Sequence, residues 1–439
     1  MKKARPSRAF LPMTMDEAAE RGAGPLDVIL VSGDAYVDHP SFGTAVIGRV
    51  LEAEGYAVGV IAQPDWHGDG DFRKLGTPRL FFGITAGNVD SMVNNYTAAG
   101  RRRRTDAYSP GGVPRRPDRA AIVYADRVHA LFPGIPVVLG GIEASLRRFA
   151  HYDYWSDRVR KSILADAPAD LLVYGMGERQ VVEIARRLAG GESIRELTDI
   201  RGTSWKIPPK DFRGLESRDL VTLPSHAEVA GDPGSRREPG ASRGDGPPLD
   251  RDRAAYARAF ALHAAEQDPF RGMGVAQHHG KTVIVQNPPA LPLSTGELDR
   301  VYELPYTRRA HPSYREEIPA LEPVKFSLVS HRGCFGGCSF CAIGHHQGRI
   351  IQSRSAESLV REAERLVKME GFAGVIQDLG GPTANMYGFS CPNWAGAGAC
   401  RYRRCSPDCG SLVSGEKAHL ELLRRVRVVP GVKRVLVAS

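Results

Sequence analysis

Five short apolar runs in the first half of the chain constrain its fold more than any other feature. Each run is bounded by Gly, Asp or Pro, and each is continuously apolar rather than alternating. Such runs are typical of strands that are buried on both faces of a parallel sheet. They begin at Leu26, Ala57, Arg79, Ile135 and Asp170 and read LDVILVSG, AVGVIAQP, RLFFGIT, IPVVLGG and DLLVYGMGE.

The segments between these runs have apolar residues at helical spacing. FGTAVIGRVLEAEG follows the first run and QVVEIARRLAGG follows the last. Alternating strands and helices predict an α/β fold with a Rossmann-like parallel sheet over about residues 25 to 200. Glycines at the carboxyl ends of these strands suit either a ligand site or ordinary turns, and the two interpretations are equally good. They are Gly33, Gly140, Gly141, Gly175 and Gly177.

The length of 439 residues predicts two domains, because single cores stop growing near ~250 to 300 residues. We assign residues 1–225 to the Rossmann-like domain. Residues 226–250 are rich in Gly, Pro, Ser, Asp and Arg and lack apolar periodicity, which predicts a disordered insertion. Residues 251–322 are expected to form a connecting helical and extended segment, with a helix at RAAYARAFALHAAEQ and a short strand at KTVIVQNPP, from Lys281.

The βα pattern restarts within residues 323–439, where we predict three strands and two helices. The strands are KFSLVSHRG, GVIQDLGGP and the closing VKRVLVAS, and the helices are SAESLVREAERLVKME and Glu416 to Val426. An apolar strand at the end of the chain would leave an unpaired edge without a covering helix. The sequence therefore predicts a C-terminally truncated piece of a longer protein.

Charge and composition restrict the class of protein only weakly. A formal net charge of +9 would suit a polyanion such as RNA, although basic runs such as Arg101 to Arg104 and the stretch containing Arg115, Arg116 and Arg119 are more often solvated loops. The sequence contains no signal-peptide core and no apolar run of membrane-spanning length, so we expect a cytoplasmic protein. In a reducing compartment, clustered cysteines indicate metal or redox chemistry rather than disulfides.

The most informative motif is HRGCFGGCSFCAIG, which spaces Cys334, Cys338 and Cys341 as CxxxCxxC. Three thiolates on one tight loop can each bind one iron of a 4Fe-4S cluster and leave the fourth iron without a protein ligand. Neighbouring glycines would let the backbone wrap closely around the cluster. Another metal site and three structural cysteines are the alternatives, but structural zinc favours four ligands in paired arms.

Four more cysteines lie in CPNWAGAGACRYRRCSPDC, a predicted Cys-rich insertion over residues 391–409. Four thiolates could close a zinc site or hold an auxiliary iron–sulfur cluster. The alternative is a set of reduced surface thiols. The residues in question are Cys391, Cys400, Cys405 and Cys409.

The cysteine loop resembles that of the radical S-adenosylmethionine (SAM) superfamily, because it follows a strand and has Phe340 as the aromatic residue of CxxxCxΦC. The resemblance implies that SAM binds the open iron through its amino group and carboxylate, with Phe340 near the adenine. It also implies that a glycine-rich motif at the end of the next strand accepts the SAM amino group. The matching residues are Gly380, Gly381, Pro382 and Thr383.

Four longer stretches resemble the YgiQ family, whose members are radical SAM proteins of unassigned reaction. These are VSGDAYVDHPSFG, IAQPDW, GGIEASLRRFAHYDYWSD and RVLVAS. The resemblance implies a domain similar to cobalamin-binding domains, followed by the first half of a radical SAM (β/α) partial barrel. Cobalamin itself is not expected, since the DxHxxG ligand motif would need Asp where this chain has Val37. We interpret His39 as a turn or pocket residue.

These features predict a radical SAM enzyme in which a 4Fe-4S cluster reductively cleaves SAM to a 5′-deoxyadenosyl radical that abstracts hydrogen from an unknown substrate. A flavodoxin-type or ferredoxin-type protein would supply the electron. With three of about six barrel units, the piece could lack a complete SAM pocket and be inactive. The alternative is a non-catalytic iron–sulfur or zinc protein that binds RNA through basic loops.

No catalytic residue is assigned from the sequence alone. Eight polar or aromatic residues in the YgiQ-like stretch could line a pocket, although ion-paired surface helix residues are the simpler interpretation. They are Glu143, Arg147, Arg148, His151, Tyr152, Asp153, Tyr154 and Trp155.

Overall fold

The structure is a computed structural model that describes residues 9–215, 220–231, 248–381, 384–401, 404–406 and 408–438. For residues 248–252 it describes the backbone alone. None of the helices in these ranges is long and apolar enough to cross a membrane.

The strands, in chain order, are β1 (Val28–Ser32), β2 (Val37–Asp38), β3 (Val58–Ala62), β4 (Phe81–Thr85), β5 (Val137–Gly140), β6 (His151–Asp153), β7 (Arg158–Arg160), β8 (Leu171–Val173), β9 (Thr203–Ile207), β10 (Leu220–Thr222), β11 (Gly274–His278), β12 (Val283–Gln286), β13 (Arg309–Ala310), β14 (Leu328–Val329), β15 (His331–Arg332), β16 (Gln352–Ser353), β17 (Val375–Ile376), β18 (Leu379–Gly380) and β19 (Arg434–Val435).

The α-helices are α1 (Met15–Glu20), α2 (Gly43–Ala53), α3 (Gly70–Arg73), α4 (Ser91–Asn95), α5 (Ala120–Leu131), α6 (Gly141–Leu146), α7 (Ile163–Asp166), α8 (Glu178–Ala189), α9 (Pro209–Phe212), α10 (His226–Val229), α11 (Pro248–Ala265), α12 (Thr295–Glu303), α13 (Ile343–His346), α14 (Ala356–Val367), α15 (Trp394–Ala397) and α16 (Glu416–Arg427). Short 3₁₀ turns occur at Pro110–Gly112, Ile194–Glu196, Arg213–Leu215 and Pro319–Leu321.

Nine strands form one sheet in the order β10-β11-β12-β9-β8-β5-β4-β1-β3. The five strands predicted from apolar runs, β1, β3, β4, β5 and β8, are mutually parallel, so the predicted α/β class is confirmed. Numbered along the chain, these five have the spatial order 2-1-3-4-5. That order is one of the two common doubly wound arrangements, and its switch point lies between β1 and β4.

The remaining four strands extend the sheet beyond β8. β9 runs antiparallel to β8, β12 antiparallel to β9, β11 antiparallel to β12, and β10 parallel to β11. β11 and β12 come from residues 251–322, which were expected to connect the two domains, and they join the N-terminal sheet.

Alternate residues of the central strands enter cores on opposite faces of the sheet. Ile29 and Val31 pack with α3 and α5 on one face, in a core that includes Phe72 and Tyr124. Val28 and Leu30 pack with α2 and α8 on the other face. Both faces are covered, which explains why the strand sequences are continuously apolar.

The C-terminal part contains the three predicted strands as short parallel segments. β14 pairs with β18, and β17 pairs with β19. The predicted second strand is therefore divided between Ile376 and Leu379. Helices α14 and α16 cover this sheet through a core that contains Leu328, Leu359, Ile376, Leu379, Leu422 and Val426. Helix α14 is capped at its start, since the Ser355 hydroxyl accepts from Ser358 N at 3.1 Å.

The predicted disordered insertion falls mostly outside the described residues, which omit 232–247. On its amino-terminal side His226–Val229 forms α10, with Ser225 and Glu228 as a reciprocal cap. On its carboxyl side α11 begins at Pro248. The predicted disorder stays a prediction.

Candidate functional site

A cavity of about 870 Å³ lies between the large sheet and the C-terminal part. On the sheet side it is lined by residues of β1, β4, β5 and the segment after β8, among them Leu30, Gly83, Gly140 and Gly175. The cavity is therefore at the switch point of the parallel strands, where open α/β sheets bind ligands. On the other side it is lined by His331, Arg332, Ile343, His346, Gly380 and Gly381.

The strand-end glycines differ in whether they line the cavity. Gly140, Gly141, Gly175 and Gly177 line the cavity, whereas Gly33 does not. At Gly175 φ is +74°, and an added Cβ would lie 3.0 Å from the carbonyl oxygen of His346. A side chain there would therefore press against the segment that follows the cysteine loop. At Gly33 a Cβ would lie 2.2 Å from the Ala86 carbonyl oxygen, so that glycine permits close contact between backbones.

The predicted cluster loop is a tight turn beside this cavity. Cys334 N donates to Gly348 O at 3.0 Å, and Cys341 N donates to Cys338 O at 3.1 Å. The sulfurs of Cys334 and Cys338 lie 3.5 and 3.8 Å from the position that a Cβ on Gly336 would occupy. Cys338 is exposed, and the other two thiols are half-buried.

All seven cysteines are free thiols. Within the described ranges, no three Cys, His, Asp or Glu side chains are grouped closely enough to hold a metal ion as they stand. Metal binding by Cys334, Cys338 and Cys341 therefore stays a prediction, supported by the placement of three thiols on one turn. The same applies to Cys391, Cys400, Cys405 and Cys409.

His331 supports the glycine-rich turn from inside the core. Its Nδ1 lies 2.9 Å from the Ser330 hydroxyl, which donates to Gly380 O at 3.0 Å. Met386 N donates to His331 Nε2 at 3.2 Å. A Cβ on Gly381 would lie 2.2 Å from the His331 ring, so the turn needs glycine at that position. Burial lowers the pKa of His331 to about 4, so the ring is neutral at pH 7.

Arg332 connects the cysteine loop to the large sheet. Its Nη1 donates to Glu178 Oε1 at the start of α8, and its Nε donates to the Tyr302 hydroxyl at 3.0 Å. The Arg332 and Glu178 side chains are 3% and 5% exposed. His346 makes a second connection, with its Nδ1 3.1 Å from the Ser145 hydroxyl, which also accepts from Gly175 N at 3.0 Å.

Sequence reasoning missed the roles of His331, Arg332, Glu178 and His346. The only available signal was position, because His331 and Arg332 precede the cysteine motif and Glu178 follows a strand-end glycine. Their partners lie far away in the sequence, and the pairing follows from the tertiary fold.

The residues predicted to contact SAM are only partly brought together. Gly380 and Gly381 line the cavity. Phe340 does not line it, and its side chain is 90% exposed. Pro382 and Thr383 lie outside the described residues. SAM contacts at these four positions stay predictions.

The interpretation of the YgiQ-like polar residues as surface helix residues is wrong for Glu143, Arg147, Arg148 and Asp153, which are buried. Arg147 forms a bidentate ion pair with Asp90. Tyr152 and Tyr154 are exposed. None of the eight residues lines the cavity, so those that are buried hold the fold together.

His39 is completely buried and does not line the cavity. Its Nδ1 accepts from Ser41 N at 3.0 Å, and its Nε2 lies 3.0 Å from Arg308 Nη1. Burial, together with the Arg308 charge, holds the pKa of His39 well below its usual range. Its position is that of a buried turn residue, while the expectation about cobalamin stays a prediction.

The chain matches the Radical SAM N-terminal family over residues 10–327, which is more than half of its length. It is therefore a protein of the radical SAM class. More narrowly, it belongs to the UPF0313 family, also called the YgiQ family.

Three archaeal UPF0313 proteins illustrate this relationship. The protein of Methanosarcina acetivorans is 55% identical over 98% of this chain and 58% of its own length. Those of Methanosarcina mazei and Methanocella arvoryzae are 53% and 52% identical, over 96% and 97% of this chain and 70% and 68% of their own lengths. The chain thus spans little more than half to about two thirds of these relatives.

Among solved structures, the chain is similar to the radical SAM methyltransferase TsrM of Kitasatospora setae. A structure of TsrM with cobalamin and a [4Fe-4S] cluster gives a TM-score of 0.37 and 17% identity, and covers 77% of this chain and 45% of that one. A structure with tryptophan and a SAM analogue gives 0.35 and 18% over the same shares. Likeness at this level says nothing about the ligands of the present chain.

Proposed function

We propose that this chain is a radical SAM enzyme that holds a 4Fe-4S cluster on Cys334, Cys338 and Cys341 and binds SAM in the adjoining cavity. One observation supports this above others. Residues on both sides of the cysteine loop, Arg332 and Ile343, line the same cavity as the glycine turn Gly380–Gly381 and the strand-end glycines. Cosubstrate and substrate could therefore share a single enclosure of about 870 Å³, which is within the range of small-molecule sites.

The residues present suit such a cluster in kind and in placement. Three thiols occupy one turn, and Gly333 and Gly337 have positive φ, at +88° and +58°. A Cβ on Gly333 would lie 2.3 Å from Ile350 O, so the loop backbone lies against its neighbour. When bound, such a cluster would supply the electron that breaks the sulfur–C5′ bond of SAM to give methionine and a 5′-deoxyadenosyl radical.

The turn at residues 380–381 would orient the SAM amino group. Ser330 fixes this turn, because the Gly380 carbonyl accepts from Ser330 N at 2.7 Å and from the Ser330 hydroxyl at 3.0 Å. His331 would hold this turn in place without charge, because burial keeps its ring neutral.

The sheet side of the cavity would exclude water from the reaction. Its walls include Leu30, Val138 and Val173, which are apolar and unreactive. Exclusion of water prevents side reactions of reactive intermediates. Arg332 lines the cavity but is paired with Glu178, so we assign it to positioning of the cysteine loop rather than to substrate binding.

The test is anaerobic reconstitution of the chain with iron and sulfide, followed by dithionite and SAM. The readouts are iron content, the electron paramagnetic resonance of the reduced cluster and 5′-deoxyadenosine formed. The comparison variant is Cys334→Ala/Cys338→Ala/Cys341→Ala. The matched control is Ser339→Ala, which changes the same loop without removing a thiol.

We expect the triple variant to lose about four iron atoms per chain and to form no 5′-deoxyadenosine, while Ser339→Ala retains both. Equal 5′-deoxyadenosine from wild type and triple variant would exclude the proposal. A cluster without any product would mean that this chain binds the cluster but does not form a working SAM site.

The second candidate is RNA binding through the basic loops. Arg101 to Arg104 are exposed, which suits a polyanion. Arg116, however, is buried against Asp34, and Arg119 pairs with Asp153. RNA binding that weakens with salt and persists in the triple cysteine variant would favour this alternative. A flavodoxin-type or ferredoxin-type reductant is likewise a proposal, tested by replacing dithionite with the reduced protein.

A further inference from the structure

The second cysteine segment lies directly against the cluster loop. The Arg404 side chain covers Gly337, where an added Cβ would lie 3.5 Å from Arg404 Nε. Cys334, Cys391 and Cys405 all pack against one hydrophobic cluster. Its buried members are Phe335, Ile350, Ile351, Met386, Trp394 and Ala399.

The segment is a closed loop whose two ends meet. Ser390 and Val413 form an antiparallel bridge, with N–H···O distances of 3.2 and 2.8 Å. Within the loop, Trp394 N donates to Cys391 O at 3.0 Å, and Cys409 N donates to Ser406 O at 3.0 Å. Cys391 and Cys409 are therefore near the base of the same loop, with Cys400 and Cys405 between them.

The described part of this loop has little apolar core of its own. Its buried apolar side chains include only Trp394 and Ala399. Fixed contacts to the rest of the chain occur near Cys400, where Ala399 N donates to Asp268 Oδ2 at 2.7 Å and Arg349 Nη1 donates to Cys400 O at 2.9 Å. Loops that lack an apolar core usually need a cross-link or a metal to be stable.

The loop also has the charge that a thiolate centre requires. Arg349 donates to Cys400 O, and Arg404 belongs to the loop and lies beside Gly337. Four thiolates around Zn²⁺ or a 4Fe-4S cluster leave a net negative charge, which nearby guanidinium groups offset.

We propose that Cys391, Cys400, Cys405 and Cys409 form a second metal centre beside the cluster loop, closed by four thiolates and occupied by Zn²⁺ or an iron–sulfur cluster. Four protein ligands complete the shell and leave no position for SAM. This centre would fix the loop that covers the first cysteine turn at Gly337. The proposal does not depend on the proposed function, because metal binding here requires neither SAM nor the first three cysteines.

The experiment uses the triple variant Cys334→Ala/Cys338→Ala/Cys341→Ala, purified anaerobically, so that only the second set of cysteines remains. Zinc and iron are counted by elemental analysis, and X-ray absorption at the edge of the bound metal reports the ligand atoms. We expect about one zinc or about four iron atoms per chain, with about four sulfur neighbours at ~2.3 Å. The absence of metal–metal scattering identifies zinc, and its presence identifies a cluster.

Two further variants are made in the triple cysteine variant, one that removes proposed ligands and one control. Cys400→Ser/Cys409→Ser should lose the metal, and Ser411→Ala, on the same loop, should retain it. If the serine variant fails to fold, titration of the triple variant with a mercurial reagent replaces it, and the metal should be released as four thiols react. Two disulfides without metal, or metal content unchanged in a folded Cys400→Ser/Cys409→Ser protein, would overturn the proposal.

Discussion

Arg332, two residues before the first cysteine of the cluster loop, forms a buried ion pair with Glu178 at the start of α8. The Arg332 guanidinium also lies over the Tyr302 ring, 5.1 Å from its centroid. The large sheet, α12 and the cysteine loop therefore meet at one side chain. The position of the loop relative to the cavity depends on this contact.

Replacing Glu178 should destabilise the protein strongly, because it leaves a buried guanidinium without a countercharge. We expect Glu178→Ala to lower the free energy of unfolding by about 3–5 kcal/mol in urea titrations of the metal-free chain. The double variant Glu178→Leu/Arg332→Met should recover much of the loss, since both charges are removed. If Glu178→Ala were as stable as wild type, the Glu178–Arg332 ion pair would have to be solvated rather than buried.

Gly381 should not tolerate a side chain. Gly381→Ala places a Cβ where the His331 ring lies, so we expect a loss of about 1–3 kcal/mol in unfolding free energy and at least a tenfold weaker affinity for SAM by calorimetry. Gly296→Ala is the control, because its Cβ would meet only the far end of Arg300 at 4.0 Å. Equal SAM affinity in both variants would argue against a role for this turn.

Acid should destabilise the fold through His331. Its folded pKa of about 4 lies below the unfolded value near 6.5, so the unfolded chain takes up the proton first. The stability associated with the neutral ring is complete above pH 6.5 and is lost as the pH falls towards 4. We expect a loss of about 2 kcal/mol between pH 6.5 and 5 in wild type, and a correspondingly smaller loss in His331→Gln. If the unfolding free energies of wild type and His331→Gln fell equally with pH, protonation of His331 would not be the cause.

Arg148 is buried, and within the described residues it forms no ion pair with a carboxylate. It donates to Gln286 Oε1 and Gln267 Oε1, both at 2.6 Å, and burial lowers its pKa to about 10. Gln286→Glu should supply the missing countercharge and raise the free energy of unfolding by about 1–2 kcal/mol at pH 7.

The control for that substitution is Gln277→Glu on the neighbouring strand. Gln277 is equally buried, but it accepts from Ala150 N and donates to Pro224 O. A carboxylate there loses the donor to Pro224 O and meets that carbonyl with a buried negative charge, so Gln277→Glu should destabilise the protein. Chemical unfolding that ranks the two variants in the opposite order would refute the electrostatic explanation.

The sequence predicted the parallel half of the large sheet well, because runs such as that at Leu26 are buried on both faces and their apolar pattern is unambiguous. The antiparallel extension was predicted only in part. The short strand expected from Lys281 is β12, whereas β9, which reads TSWKI, and β11 were not predicted. β11 and β12 pair as a hairpin, but the pairing of β12 with β9 joins residues that are distant in the sequence, and no local pattern encodes it.

The candidate site, like the fold, was predicted from the sequence only in part. The three cysteines stand out by their CxxxCxxC spacing, from which metal binding is predicted. The residues that hold the cysteine loop and the glycine turn in place have no such sequence pattern. His331, Arg332 and Glu178 act through partners up to 154 residues away, and Arg148 meets Gln286 of β12 only through the tertiary fold.

The late position of β11 and β12 in the chain has a consequence for synthesis on the ribosome. The large sheet lacks two of its strands until residue 286 has emerged, and the first cysteine follows some fifty residues later. Chains grow at about 5–20 residues per second, so the nascent sheet has several seconds to form before the first cysteine is synthesised. The surface that receives the cysteine loop can thereby form before the loop itself.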